Sequence, residues 1–281
     1  MEREEGISKR DYARLCALIY SEAGIHLGQE RQTMLEIRIK RRIKALGMAG
    51  YAEYCEFLFG ARGRDAELVP LIDVVTTNKT DFFREPKHFE YLTATALPDL
   101  GQRGSGEPLR VWSAGCSTGE EPYTLAMVLS EYGEAHPGFR FRILATDIST
   151  AVLEKARLGV YGADTLIPVP ETLRRKYFLR SRDRSADRAR VAPELRRHVV
   201  FRRLNFIDED YGLQEKVDAI FCRNVIIYFD HATQERILRR LARCLAAGGY
   251  LFVGHAETLH TMSLPLQPVA PALYKRLSDG T

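Results

Sequence analysis

The chain is poor in the features that mark several large protein classes. Its five cysteines (Cys16, Cys55, Cys116, Cys222, Cys244) are an odd number and contain neither a Cys-x-x-Cys pair nor zinc-type spacing. Reduced thiols of an intracellular compartment, with no metal centre, are the simplest reading. The longest stretch without Asp, Glu, Lys or Arg, from Thr258 to Tyr274, is broken by Pro265, Pro268 and Pro271, so it cannot form a continuous membrane helix. Met1-Glu2-Arg3-Glu4-Glu5 is acidic and lacks the apolar core of a secretory signal. Internal repeats and low-complexity tracts are absent, as are Gly-x-Gly-x-x-Gly and a Lys-Ser/Thr phosphate loop. These absences lead us to expect a cytoplasmic protein without membrane insertion. With 281 residues, 45% of them hydrophobic, it can bury a core without disulfides.

Charge is unevenly spread. Between Arg31 and Lys44 six basic residues face only Glu36, and between Thr172 and Arg203 twelve basic residues face three acidic ones. Since the whole chain carries only +4, the remainder is acidic. Basic patches of this kind suit nucleic acid, an acidic protein surface or phospholipid headgroups, and they also occur as plain solvated faces.

Residues 1–75 read as a small all-helical domain. Apolar residues recur at helical spacing in Ser8 to Ala23 and Arg31 to Leu46, with Gly24 and Gly47 placed as stops, and shorter helices are expected over Ala52 to Phe59 and Asp65 to Thr77. Residues 76–108 form a linker. From Leu109 the pattern alternates: strands at Leu109 to Ala114, Phe141 to Thr146, Val199 to Leu204, Val217 to Cys222 and Tyr250 to Val253, with helices at Pro122 to Tyr132, Thr150 to Leu158 and His231 to Ala246. Such alternation predicts an α/β fold with a doubly wound, mostly parallel sheet over 109–281, and ligands at the carboxyl ends of its strands. A basic stretch at about 171–200 interrupts the alternation and reads as an inserted subdomain, with Leu179 to Arg188 as an exposed loop.

The loop Gly115-Cys116-Ser117-Thr118-Gly119-Glu120-Glu121-Pro122 follows the first strand. Its glycines allow a ligand close to the backbone, while two carboxylates beside it disfavour phosphate and suit a cation. Asp147, ending the second strand, is placed to accept hydrogen bonds from a ribose, or else to cap the helix that starts near Ser149. S-adenosylmethionine, a cationic sulfonium nucleoside without phosphate, meets these requirements.

Four longer stretches carry a resemblance: residues 76–85 (Thr76-Thr77-Asn78-Lys79-Thr80-Asp81-Phe82-Phe83-Arg84-Glu85), 112–123 around the glycine loop, Ala145-Thr146-Asp147-Ile148, and 221–230 (Phe221-Cys222-Arg223-Asn224-Val225-Ile226-Ile227-Tyr228-Phe229-Asp230). With Gly254-His255-Ala256-Glu257 they resemble the chemotaxis receptor methyltransferase (CheR) family, which esterifies glutamate side chains. The resemblance implies an S-adenosylmethionine-dependent methyltransferase fold, S-adenosylhomocysteine as product, and no metal. It implies that the linker contributes cofactor contacts through Asn78, Thr80 and Arg84, that Glu121 rather than Glu120 holds the cofactor, that Asp147 binds the ribose, that Asn205 and Phe206 flank the adenine, and that Arg223 and Asn224 complete the pocket. Phe206 stands where the family has Leu, and Gly115 and Cys116 stand where it often has Ala.

A glutamate acceptor with pKa about 4.3 is ionised at neutral pH and needs no general base, which fits a sequence without an evident catalytic dyad. Arg84 and Tyr228 are the candidates for orienting it. In Arg31 to Leu46, Leu35, Ile39, Ile43 and Leu46 form a core-facing stripe, and we assign Arg38, Lys40, Arg41 and Lys44 to the opposite, exposed half. With Arg42 added, Arg38, Arg41 and Lys44 form the expected docking set for the acidic helical region of a cytoplasmic receptor domain, the partner the family resemblance implies. The glycine-free insert is expected not to tether a receptor tail peptide, and the chain is expected to be a monomer that does not bind nucleic acid. Two alternatives remain at this point: a nucleic-acid methyltransferase, disfavoured by the absence of a Pro-Cys nucleophile and of an Asn/Asp-Pro-Pro-aromatic motif, and a non-catalytic cofactor-binding scaffold.

Overall fold

The architecture is taken from a computed structural model, which describes residues 6–101, 106–181, 183, 187–257, 259 and 262–277. Four helices build the N-terminal domain: α1 (Lys9–Ala23), α2 (Gln32–Leu46), α3 (Tyr51–Phe59) and α4 (Ala61–Val75). Ser8 caps α1 by accepting the Asp11 N–H at 3.1 Å, and left-handed glycines, Gly24 at φ 70° and Gly47 at φ 68°, close α1 and α2. Their apolar faces meet in one core around Leu15, Ile19, Leu35, Ile39, Leu58 and Leu71. Residues 76–108 contain more than a linker: α5 (Lys87–Tyr91), a π turn (Leu92–Ala96) and α6 (Leu97–Gly101) pack Phe89, Leu92 and Leu97 into the core of the following domain.

That domain is a seven-stranded sheet of β1 (Leu109–Ala114), β2 (Phe141–Asp147), β6 (Val199–Arg203), β7 (Val217–Cys222), β8 (Leu245–Val253), β9 (Leu266–Ala270) and β10 (Leu273–Arg276). Its order is β6-β2-β1-β7-β8-β10-β9. The first five in that order pair in parallel, and β10 and β9 close the far edge antiparallel. Helices α7 (Glu120–Ala135), α8 (Thr150–Leu158) and α11 (His231–Cys244) make the crossovers. Two apolar cores lie on the two faces of the sheet. The expected doubly wound, mostly parallel sheet is therefore present. The chain leaves β1 toward β2 and β6 and returns on the other side to β7, so the switch point, where such folds open a crevice, lies between β1 and β7.

The insertion begins earlier than its charge run. Strands β3 (Val160–Gly162), β4 (Phe178–Arg180) and β5 (Arg188–Val191) make a separate antiparallel sheet in the order β3-β5-β4, flanked by α9 (Glu171–Tyr177) and α10 (Pro193–Arg196). Residues 182 and 184–186 of the expected exposed loop lie outside the described residues, and its two ends are strand. Phe82 of the linker packs edge-on against Tyr161 at 5.0 Å and Phe178 at 5.7 Å, which fastens this small sheet to the body.

Candidate active site

At the switch point a cavity opens whose walls come from the four longer motif stretches and from the end of β6: Asn78, Thr80 and Arg84 from the linker, Glu121 after the glycine loop, Asp147 after β2, Asn205 and Phe206 after β6, and Arg223, Asn224 and Tyr228 after β7. Residues absent from the expectation join them, notably Arg31 and Leu27 of the helical domain, Ser117, Ile148 and Val225.

The glycine loop is shaped by its own hydrogen bonds. The Gly115 and Cys116 N–H groups both donate to Thr146 O at 2.8 Å, and Gly119 N–H donates to Cys116 O at 3.0 Å. The Ser117 N–H donates to Asp147 Oδ2 at 2.9 Å, and Asp147 Oδ1 accepts the Ser149 N–H at 3.0 Å. Asp147 thus ties the loop to the end of β2, while Ser149 itself caps α8 by accepting the Val152 N–H. Four loop amides are committed inside the protein, so they are not available to cradle a phosphate. Gly115, at φ 91°, also has no room for a side chain: a Cβ would lie 2.4 Å from Val225 Cγ2.

Glu121 lies in the cavity wall and is held from both sides, accepting from Ser113 Oγ at 2.6 Å and from Arg223 Nε at 2.9 Å. Glu120 turns instead to the Thr118 hydroxyl at 2.6 Å. Burial raises the carboxyl pKa of both, and of Asp147, against hydrogen bonds that favour the ionised forms; Arg223 also opposes the rise at Glu121. Arg223 is almost wholly buried and joins three segments: Glu121, the Arg84 carbonyl at 2.7 Å and His88 Nδ1 at 3.2 Å. Burial and this guanidinium push the His88 pKa down to about 4, so the imidazole is neutral. Asn224 sits at φ 59°, and its buried Oδ1 has no hydrogen-bond partner among the described residues.

Linker and helical domain are drawn onto the site. Asn78 O accepts from Ser117 Oγ at 2.9 Å, and Arg84 donates to Lys79 O at 3.0 Å. Asn205 donates to Glu22 O at 2.7 Å, and the Tyr228 carbonyl accepts the His26 N–H at 2.9 Å. Tyr228 also packs under Arg31, whose guanidinium lies 5.8 Å from the ring centre.

The expected docking set is corrected at two positions. Arg42 makes a two-pronged ion pair with the buried Glu67, both contacts at 2.7 Å, and Glu67 also accepts from Tyr54 at 3.1 Å. Arg38 donates to the Val75 carbonyl, to Thr76 O at 3.1 Å and to Thr77 Oγ1 at 3.0 Å, fixing the chain just before Asn78. The physical reason is phase: at 100° per residue Arg42 lies about 20° beyond Leu35 at the edge of the apolar stripe and Arg38 about 60° beyond it, so both flank the core-facing side and reach partners within the protein. Arg41 and Lys44 are exposed beside Lys40.

The cavity fits a cationic, phosphate-free nucleoside by its own chemistry. Acids line it, the loop amides are used internally, the buried Asn224 Oδ1 lacks a donor among the described residues, and buried Phe206 offers an apolar ring. Fold and cleft together are those of the S-adenosylmethionine-dependent methyltransferases. Residues 10–76 match the CheR methyltransferase all-alpha domain, and residues 78–271 match the CheR methyltransferase SAM binding domain. The chain is 40% identical over 274 residues to a chemotaxis protein methyltransferase of Borreliella burgdorferi, covering 96% of this chain and 95% of that one. Proteins of the same description from Salmonella typhimurium (40% over 262 residues, 93% and 88% covered) and Escherichia coli (40% over 257 residues, 92% and 87% covered) are similar to the same degree. The chain belongs to the CheR methyltransferase family.

Proposed function

We propose that the protein methylates glutamate side-chain carboxylates in the cytoplasmic helical region of chemotaxis receptors, using S-adenosylmethionine, in sensory adaptation. The description of its relatives as chemotaxis protein methyltransferases supports the pathway. The observation that carries the choice of acceptor is the composition of the cavity: among the described residues no His or Cys lines it, while Arg31, Lys79 and Arg84 do. An amine or hydroxyl acceptor calls for a base at the reacting atom, whereas a carboxylate arrives ionised and is drawn to cations.

In this reading S-adenosylmethionine supplies an electrophilic methyl group on a positively charged sulfur. Asp147 and Glu121 hold its ribose and amino groups, Asn224 Oδ1 takes a hydrogen bond from the same ligand, and Phe206 and Asn205 border its base. Arg84 and Tyr228 orient the acceptor carboxylate. Arg223 favours the ionised form of Glu121 and holds it in place, and the helical domain, as a wall of the crevice, excludes water. Such positioning is a sufficient catalytic device, since well-oriented intramolecular reactions reach effective molarities of roughly 10⁵–10⁸ M. The protein then works as a cytoplasmic monomer without metal or nucleic acid.

Incubation with methyl-labelled cofactor and a receptor cytoplasmic fragment tests the proposal. Label should enter the fragment and leave it in mild base as methanol, as an ester must. Base-stable label, or label transferred to RNA or DNA in preference to the fragment, would refute it.

A further inference from the structure

A buried carboxylate stands behind the cofactor crevice, outside the cavity wall. Glu257, in the turn after β8, is 5% exposed, and no Lys or Arg among the described residues pairs with it. Backbone amides surround it instead. Its Oε1 accepts the N–H groups of Val225 and Ile226, each at 2.9 Å, and its Oε2 accepts those of Asn224 at 2.9 Å and Gly254 at 2.6 Å. Leaving an ionised carboxylate this buried without donors would be costly, and four converging amides are what makes it tolerable.

The donors are informative. Asn224, Val225 and Ile226 follow β7, and Gly254 follows β8, so one side chain staples the carboxyl ends of two adjacent strands whose last pair is Cys222 with Val253. The stapled turn holds Asn224 at a positive φ that a non-glycine residue adopts only when its surroundings impose it. It opens the short 3₁₀ turn Ile226–Tyr228, and it sets Val225 against Gly115 of the glycine loop. Close packing on the other side completes the fit, because a Cβ at residue 254 would lie 2.5 Å from Asn224 Nδ2.

We infer that Glu257 is a positioning residue for methyl transfer: its carboxylate fixes the left-handed turn that presents Asn224, Val225 and Tyr228 to the cofactor and acceptor. The inference rests on the proposed function of the same site, and it adds a group that touches neither reactant. In Glu257→Gln the amide keeps the side chain's shape but points N–H groups at two of the four backbone donors, which opens the turn.

Binding of S-adenosylhomocysteine, followed by isothermal titration, separates the possibilities. Glu257→Gln should weaken binding at least about tenfold, equivalent to about 1.4 kcal/mol, and raise hydrogen exchange at the amides of residues 224–226 and 254. Leu241→Ala, a core cavity variant on the face of the sheet behind α11, should lower the melting temperature and leave the affinity of the folded protein unchanged. Glu257→Asp keeps the charge but shortens its reach, so its affinity should lie between wild type and the Gln variant; it decides the matter if the Gln variant does not fold. Wild-type affinity in a folded Glu257 variant, or an equal loss in Leu241→Ala, overturns the inference. Failure of the wild-type protein to bind S-adenosylhomocysteine would instead overturn the proposed function.

Discussion

Removing the carboxylate of Asp147 separates the duty the structure shows, shaping the glycine loop, from the one proposed for it, holding a ribose. In Asp147→Ala the Ser117 and Ser149 amides, now bonded at 2.9 and 3.0 Å, lose their acceptor inside a buried site. Each orphaned donor costs about 1–3 kcal/mol. Against this, the variant no longer buries a carboxylate whose pKa burial has raised. Between the unfolded and the raised folded pKa the native state holds the extra proton, so this group's contribution to stability falls as pH rises through that window. The variant's deficit in stability should therefore be larger in acid than at neutral pH. The binding deficit is separate: two ribose hydrogen bonds to a charged acceptor, at ~1.5–3 kcal/mol each, amount to about 3 kcal/mol or more, on the order of a hundredfold in affinity. Wild-type affinity should likewise drop on acidification as Asp147 protonates, beginning above the ordinary carboxylate range. Isothermal titration with S-adenosylhomocysteine, paired with thermal melts across pH, reads both deficits. Unchanged affinity in a folded Asp147→Ala protein would remove this residue from the ligand site and refute the reasoning.

Arg42→Met should destabilise the helical domain by about 3–5 kcal/mol, because it strands the buried Glu67 carboxylate; in urea denaturation the double variant Arg42→Met/Glu67→Leu should recover most of that loss. Arg41→Glu with Lys44→Glu should spare S-adenosylhomocysteine binding and reduce labelling of a receptor fragment several-fold. Arg38→Glu should harm both, because Arg38 holds the carbonyls that lead into Asn78; equal effects of the outward and inward reversals would discard the assignment of Arg41 and Lys44 to docking.

The sheet was legible because its buried strands read as short apolar runs with a turn signal after each, as in β1 and β7. Strands β9 and β10 were not, for they lie at or near the sheet edge, where Pro268 is tolerated and alternation is weak. Strands β3 to β5 are only three or four residues long, and the arginines between them read as loop. Its place at a strand end pointed to Asp147, whereas Glu121, Asn205 and Asn224 were singled out only by the family resemblance; all four line the cavity. Pairings across distant segments had no local signature. Nothing near Arg42 announces Glu67, although the helical phase of Arg42 should have placed it inward. Gly254-His255-Ala256-Glu257 was visible as a motif, but the destination of its carboxylate is a property of two neighbouring strand ends.

The same long-range contacts determine how the helical domain takes part. It forms a wall of the crevice through Leu27 and Arg31, and it is locked to the α/β domain at separate points. Asn205 holds the end of α1 through Glu22, and Thr150 at the start of α8 donates to Asp73 of α4 through both its amide and its hydroxyl at 2.8 Å. Arg38 on α2 holds the first turn of the linker. Several independent fastenings resist a hinge motion far better than one, because each must break for the domains to part. The outward residues Arg41 and Lys44 therefore stand at a fixed offset from Tyr228. If an acidic helix docks on that basic face, the offset selects which of its carboxylates reaches the crevice, and site choice along a receptor becomes a matter of register as much as of local sequence.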